Sequence, residues 1–86
     1  MRADLFLKLM GLVKTRMAAK RLCEAGKVMV GSRPAEPSTD LSPGEQVLVE
    51  LPFKRIRGQV LGLPTSRSVS KKDRPSYFQV DSIEEY

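Results

Sequence analysis

Residues 14–31, Lys-Thr-Arg-Met-Ala-Ala-Lys-Arg-Leu-Cys-Glu-Ala-Gly-Lys-Val-Met-Val-Gly, constrain the fold more than any other stretch of the chain. They read as a short helix with one basic face, stopped by Gly26, that runs straight into a strand and a tight turn. Thr15 marks the start, because its hydroxyl can accept from a backbone N–H that the first helical turn leaves unpaired. At about 100° per residue, Ala18, Ala19, Leu22, Ala25 and Gly26 share one arc, with Leu22 at its centre, and Leu22 is expected to be buried between helix and sheet. Arg16, Lys20 and Lys27 fall within roughly 40° of one another on the opposite side. Small residues permit close packing on one side, and long cations face solvent on the other. That arrangement suits a fixed surface for phosphates, and it equally describes the solvated face of an ordinary amphipathic helix.

The rest of the chain supplies partners for this helix. Ala3 to Met10 forms a candidate first helix with a broad apolar face, with Asp4 and Lys8 at i and i+4 on its polar side, and it is broken at Gly11. Two helices this short are marginal alone and must pack on something. Val28-Met29-Val30 leads into Gly31-Ser32, where a glycine in the first turn position fits a type II′ hairpin. Pro34 places the returning strand at a sheet edge. Residues 36–40 read as polar loop, and Ser42-Pro43-Gly44-Glu45 has Pro and Gly where a type II turn requires them. Gln46 to Leu51 and Lys54 to Leu63 alternate as strands, with Arg55, Arg57 and Gln59 pointing away from the inward Ile56 and Val60. Gly58 and Gly62 mark bends or bulges in the second run. Residues 64–76 lack apolar periodicity and read as a mobile basic loop, and Tyr77 to Ile83 as a last strand before an acidic end. The expected architecture is α+β: two N-terminal helices packed on a small, mainly antiparallel sheet.

Charge is distributed in blocks. Residues 1–35 carry +6, residues 36–53 carry −4, residues 54–76 carry +6 and residues 77–86 carry −3, for a formal net charge of +5. Any basic surface is therefore a patch, and nucleic acid, an anionic membrane surface or an acidic protein is the partner class it allows. With no His, no Cys/His or Ser/His pair, no metal-ligand spacing and no glycine-rich phosphate loop, the sequence offers no catalytic constellation or cofactor site, and it reads as a binding protein without a cofactor. Cys23 falls near the basic side of the helix, where a thiol pKa would drop; without a His to act as its base it reads as a passive packing residue. One cysteine requires no oxidising compartment, and the apolar run Leu5 to Val13 is interrupted by Lys8, so a cytoplasmic, non-membrane protein is expected.

The order of helix, basic helix, glycine stop, Val-x-Val strand, glycine turn, Pro-Gly turn and second Val-x-Val strand resembles the S-four RNA-binding domain, or alpha-L motif. The matching residues are Met1-Arg2-Ala3-Asp4 with Phe6-Leu7, Leu12-Val13-Lys14-Thr15-Arg16, Ala19-Lys20, Glu24-Ala25-Gly26-Lys27-Val28, Val30, Pro37-Ser38 and Pro43-Gly44. The resemblance divides the chain into an RNA-binding core, residues 1–51, and a C-terminal β extension, residues 52–86, with the basic loop 64–76, all in one compact domain. It implies that Arg2, Arg16, Lys20 and Lys27 face RNA phosphates, with Lys14, Arg33, Lys71 and Lys72 as further RNA-binding candidates. Asp4 would orient a nearby arginine, since a carboxylate repels phosphate. Gly11 stands where many relatives have a basic residue, which thins the patch, and Gly31-Ser32 replaces their Asn-Gly turn.

A free-standing domain with the segment Lys71-Lys72-Asp73-Arg74-Pro75-Ser76-Tyr77 looks like the short bacterial proteins of ribosome-associated quality control, related to the fifteen-kilodalton heat-shock protein. The resemblance then implies a monomer that binds rRNA and tRNA on stalled large ribosomal subunits, with a NEMF-family tail-adding factor as a further partner. The alternatives are a general structured-RNA binder of the heat-shock type and a basic binder of a membrane surface or acidic protein.

Overall fold

A computed structural model describes all 86 residues. Helix α1 spans Ala3–Leu9 and α2 Arg16–Glu24; the strands are β1 Val28–Val30, β2 Arg33–Pro34, β3 Gln46–Glu50, β4 Lys54–Val60 and β5 Phe78–Glu85, with a 3-10 turn at Arg74–Ser76 before β5. The strands form one antiparallel sheet in the order β2-β1-β3-β4-β5. No helix is long and apolar enough to cross a membrane.

Both helices end in the same way. In α2 the N–H of Lys27 donates to the Leu22 carbonyl at 2.9 Å and that of Gly26 to Cys23 at 3.0 Å. In α1 the N–H of Leu12 donates to Leu7 at 3.0 Å and that of Gly11 to Lys8 at 3.0 Å. These paired bonds are the Schellman arrangement, which needs a left-handed residue, and Gly11 and Gly26 supply it at φ 71° and 74°. At the other end of α2, Thr15 Oγ1 accepts from Ala18 N at 3.0 Å, as its position in the sequence predicts. The start of α1 has no side-chain cap from Arg2. Its first N–H groups are satisfied by the loop that follows β2: Ala3 donates to the Thr39 carbonyl at 2.8 Å and Asp4 to Pro37 at 3.1 Å.

The core lies between the helices and one sheet face. Val28, Val47, Val49, Ile56 and Val60 point inward, alternating with Met29, Leu48 and Arg57 on the other face. Phe6 and Leu7 of α1 are fully buried, and Phe6 meets Phe78 edge-on, ring centroids 6.0 Å apart. The Gly31-Ser32 turn joins β1 to β2 in the expected two-residue register, and Ser42-Pro43-Gly44-Glu45 closes with Glu45 N donating to the Ser42 carbonyl at 3.2 Å. A β-bulge lies at Arg57/Gly58, where the partner jumps from Ser82 to Val80. Gly58 is glycine because the Phe78 ring and the Gln79 carbonyl occupy the place of its Cβ.

The structure corrects several expectations. The inward arc of α2 is centred on Ala19 and Cys23, and Leu22 is only partly buried. Relative to the hydrophobic arc, the helix is rotated by roughly 80°. On this inward side α2 lies against α1, with Arg16 reaching Asp4, and its small residues permit the close approach. Ala25 and Gly26 are exposed, because the helix has already ended there. Asp4 is buried and turns away from Lys8. Residues 64–76 are tied down at Pro64, which is buried, at Val69, which packs on the core, and at Arg74. Strand β4 stops at Val60, short of Leu63, and β5 continues to Glu85, so the acidic end is itself sheet.

Candidate nucleic-acid interface

Two arginines converge on one buried carboxylate where α1 begins. Arg2 donates from Nε and Nη2 to the two Asp4 oxygens, both at 3.1 Å, a bidentate fork. Arg16, the first residue of α2, donates from Nη2 to Asp4 Oδ1 at 3.3 Å, and the Leu5 N–H donates to the same oxygen at 2.8 Å. Asp4 is 5% exposed, whereas the side chains of Arg2 and Arg16 remain 52% and 46% exposed. Burial opposes ionisation of Asp4, but the Arg2 hydrogen bonds, the Leu5 N–H and the charges of Arg16 and Arg2 outweigh it and hold the carboxyl below the usual range. Asp4 therefore stays ionised and acts as the positioning group that the sequence suggested. Two cationic heads on one anion leave a net positive site, and the half-exposed guanidiniums keep donors not used on Asp4, a chemistry that suits phosphate oxygens.

The outward face of α2 continues this surface. Beyond Arg16, the exposed residues of α2 are Met17, Lys20, Arg21 and Glu24. Lys20 is where the sequence placed it. Arg21 was missed; its only sequence signal is adjacency to Lys20, and the rotation of the helix turns it outward. Lys14 and Arg21 border a shallow apolar groove formed by Leu12, Val13, Leu22 and Leu51. Lys27 leaves the helical face altogether. Gly26 redirects the chain ahead of it, and its Nζ lies 3.9 Å from Glu50. Arg33 sits on the two-residue strand β2, exposed, and lines a cleft with Glu36, Thr39 and Glu45. Lys71 and Lys72 are exposed on the turn that precedes Arg74. Cys23 is buried, and burial first, then Asp4 and Glu24, raise its pKa, so the thiol is not activated despite lying on the Arg16 side of the helix.

Residues 1–47, which include this cluster, match the S4 domain, and the chain is a member of that family. Among curated proteins it is 32% identical over 78 residues to the RQC P-site tRNA stabilizing factor of Helicobacter pylori strain J99, covering 91% of this chain and 93% of that one. It is 35% identical over 60 residues to the protein of the same name from Bacillus subtilis, covering 70% of each. Among solved structures, the trimeric Heat Shock Protein 15 of Vibrio cholerae superposes with a TM-score of 0.85 over 95% of this chain and 82% of that one, at 21% identity, a likeness of fold. A solution structure of a protein described as hypothetical gives a TM-score of 0.81 at 28% identity, covering 95% and 98%.

Proposed function

We propose that this S4-domain protein is a non-catalytic, cytoplasmic RNA-binding factor that engages rRNA and tRNA on large ribosomal subunits carrying a stalled peptidyl-tRNA. The observation that carries the reading is the pair of half-exposed guanidiniums held by buried Asp4, in a chain similar over nine-tenths of its length to a protein named for stabilizing P-site tRNA. The mechanism is electrostatic and geometric. Arg2 and Arg16 are ordered before RNA arrives, so little side-chain freedom is lost on binding. Lys20 and Arg21 extend the contact along α2, while Lys14 borders the groove at the helix junction. Each phosphate neutralised releases condensed counterions, which makes affinity fall with salt. A-form RNA is met through its backbone and shape, as fixed cationic forks on short helices allow. The factor acts as a monomer and supports tail addition by a NEMF-family factor.

The test is co-sedimentation of the protein with purified large subunits, with and without peptidyl-tRNA, over a series of salt concentrations. Binding that strengthens with peptidyl-tRNA and weakens on Arg16→Gln is expected. Indifference to peptidyl-tRNA would reduce the reading to general rRNA binding, and failure to co-sediment at near-physiological salt would end it. Light scattering of the free protein checks the monomer.

A further inference from the structure

Of the fifteen Lys and Arg residues, only Arg55 and Arg74 are partly buried; the others are exposed. Arg55 has an anion beside it, with its Nη2 3.2 Å from Glu50, although its Nε, like that of Arg74, is buried without an acceptor. Arg74 pairs with nothing. It enters no ion pair and donates no side-chain hydrogen bond, and its Nε is buried without an acceptor. The adjacent Asp73 does not serve it, since that carboxylate accepts from Ser70 Oγ at 2.9 Å. The Arg74 head lies against Gly11, the left-handed residue that ends α1, in space that a Cβ at residue 11 would claim. Its terminal nitrogens are neither bonded to protein nor buried, so they open to solvent.

A guanidinium partly stripped of water, with no anion beside it, carries a desolvation cost that an incoming anion would offset. Its position also matters. Gly11 lies between the two helices, within the connection that carries Lys14 into α2, while Lys71 and Lys72 lie three and two residues before Arg74 on its own turn. The side chain thus brings the second basic block of the sequence onto the first.

We propose that Arg74, seated on Gly11, is a further phosphate-binding residue of this protein, reaching the junction of the two helices from the C-terminal extension. The inference rests on the RNA-binding reading above. A side chain at position 11 would take the space of this guanidinium, so the glycine makes room for a cation from elsewhere in the chain.

The experiment titrates fluorescently labelled full-length protein with purified bacterial large ribosomal subunits at several KCl concentrations, for the wild type and for Arg16→Gln, Arg74→Met, Arg74→Lys and Gly11→Ala, with thermal melts of each. Arg74→Met keeps an apolar stem over Gly11 and removes only the charged fork. It is expected to weaken binding about tenfold and to lower the slope of log affinity against log salt by about 0.7–0.9, with little change in melting temperature. Arg74→Lys should recover the slope and only part of the affinity, because a point charge cannot replace a fork. Gly11→Ala should weaken binding with every charge still present. If Arg16→Gln weakens binding while Arg74→Met matches the wild type in affinity and slope, the inference fails and the RNA-binding reading stands. A melting temperature lowered by Arg74→Met with an unchanged slope would make Arg74 a packing residue, which also overturns it. No salt-dependent binding by the wild type is a failure of the RNA-binding reading itself.

Discussion

Residues 1–51 and residues 52–86 share one sheet but are held to it by different means. The first part contributes twelve of the fifteen buried apolar core residues, and its turns are closed by local devices: a Thr cap, two Schellman endings and a Pro-Gly turn. The second contributes Ile56, Val60 and Phe78 to that core, and its long connection is held at a few seats that come from distant sequence, Phe78 over Gly58 and Arg74 over Gly11. Local devices make an element; remote seats place one. The contrast predicts that stability resides mainly in the first part and that the second can loosen without taking the helices with it.

The largest effect should come from the residue where the two parts meet. Phe6→Ala removes a fully buried ring that touches Phe78, and is expected to cost about 3–5 kcal/mol, enough to abolish the cooperative transition in a thermal or urea melt. Gly58→Val should come next, at about 1–3 kcal/mol, because its Cβ meets the Phe78 ring and the Gln79 carbonyl. Hydrogen exchange should then show β5 amides opening while α1 and α2 stay protected; equal loss in the helices would make the two parts one cooperative unit.

Asp4→Asn sharpens the comparison within the first part. It adds positive charge to the protein, yet it should weaken RNA binding, because it frees Arg2 and Arg16 from their fixed geometry. The same variant tests the acid limb of stability. A carboxyl held below its usual value stabilises the fold fully above the unfolded pKa, about 3.9, and that contribution disappears as pH falls through the lower folded value. The wild type should therefore lose stability below about pH 4 by a term that is missing from Asp4→Asn, as read from melts over an acid series. Arg16→Gln should lower the salt slope of RNA binding by about 0.7–0.9, whereas Lys27→Gln, already near Glu50, should change it less. The smallest effect is expected at Leu22→Ala, about 1 kcal/mol, because Leu22 is only partly buried. A cost near that of Phe6→Ala would restore the orientation of α2 read from hydrophobicity alone.

Much of the fold was legible in the sequence, because the signals were local. Gly26, Gly31-Ser32 and Pro43-Gly44 each dictate a backbone turn within a few residues, and between them the alternation in 46–51 and 54–60 has a single sensible reading. Arg2, Arg16, Lys20 and the supporting role of Asp4 could also be anticipated. The rotation of α2 could not. Ala18, Ala19 and Cys23 differ too little in hydrophobicity to say which will face inward; the docking of α1 decides it. Lys27 was projected onto a helix that Gly26 had already ended, and the acidic neighbours of Arg33, Glu36 and Glu45, come from different turns and show no local signal. The loop 64–76 was illegible for the same reason at longer range. A lone Val69 shows no periodicity, and the seat for Arg74 is on a glycine 63 residues earlier.

The seat of Phe78 over Gly58 has a consequence for how this chain can vary in length. A strand slipped by one residue turns every side chain to the other face, so moving Phe78 one place would lift its ring from the core and put Val60 against a different partner. The far end of the 64–76 connection is thereby indexed to a single residue of β4. Loop closure itself depends only weakly on length, and Thr65, Ser66, Arg67 and Ser68 are all exposed. Insertions there would leave Arg74 where it is, whereas one residue inserted just after Phe78 would compete with the bulge already present and misalign the rest of β5. The C-terminal part is thus elastic in its loop and intolerant of insertion in its strand, and the boundary between the two behaviours falls at Tyr77.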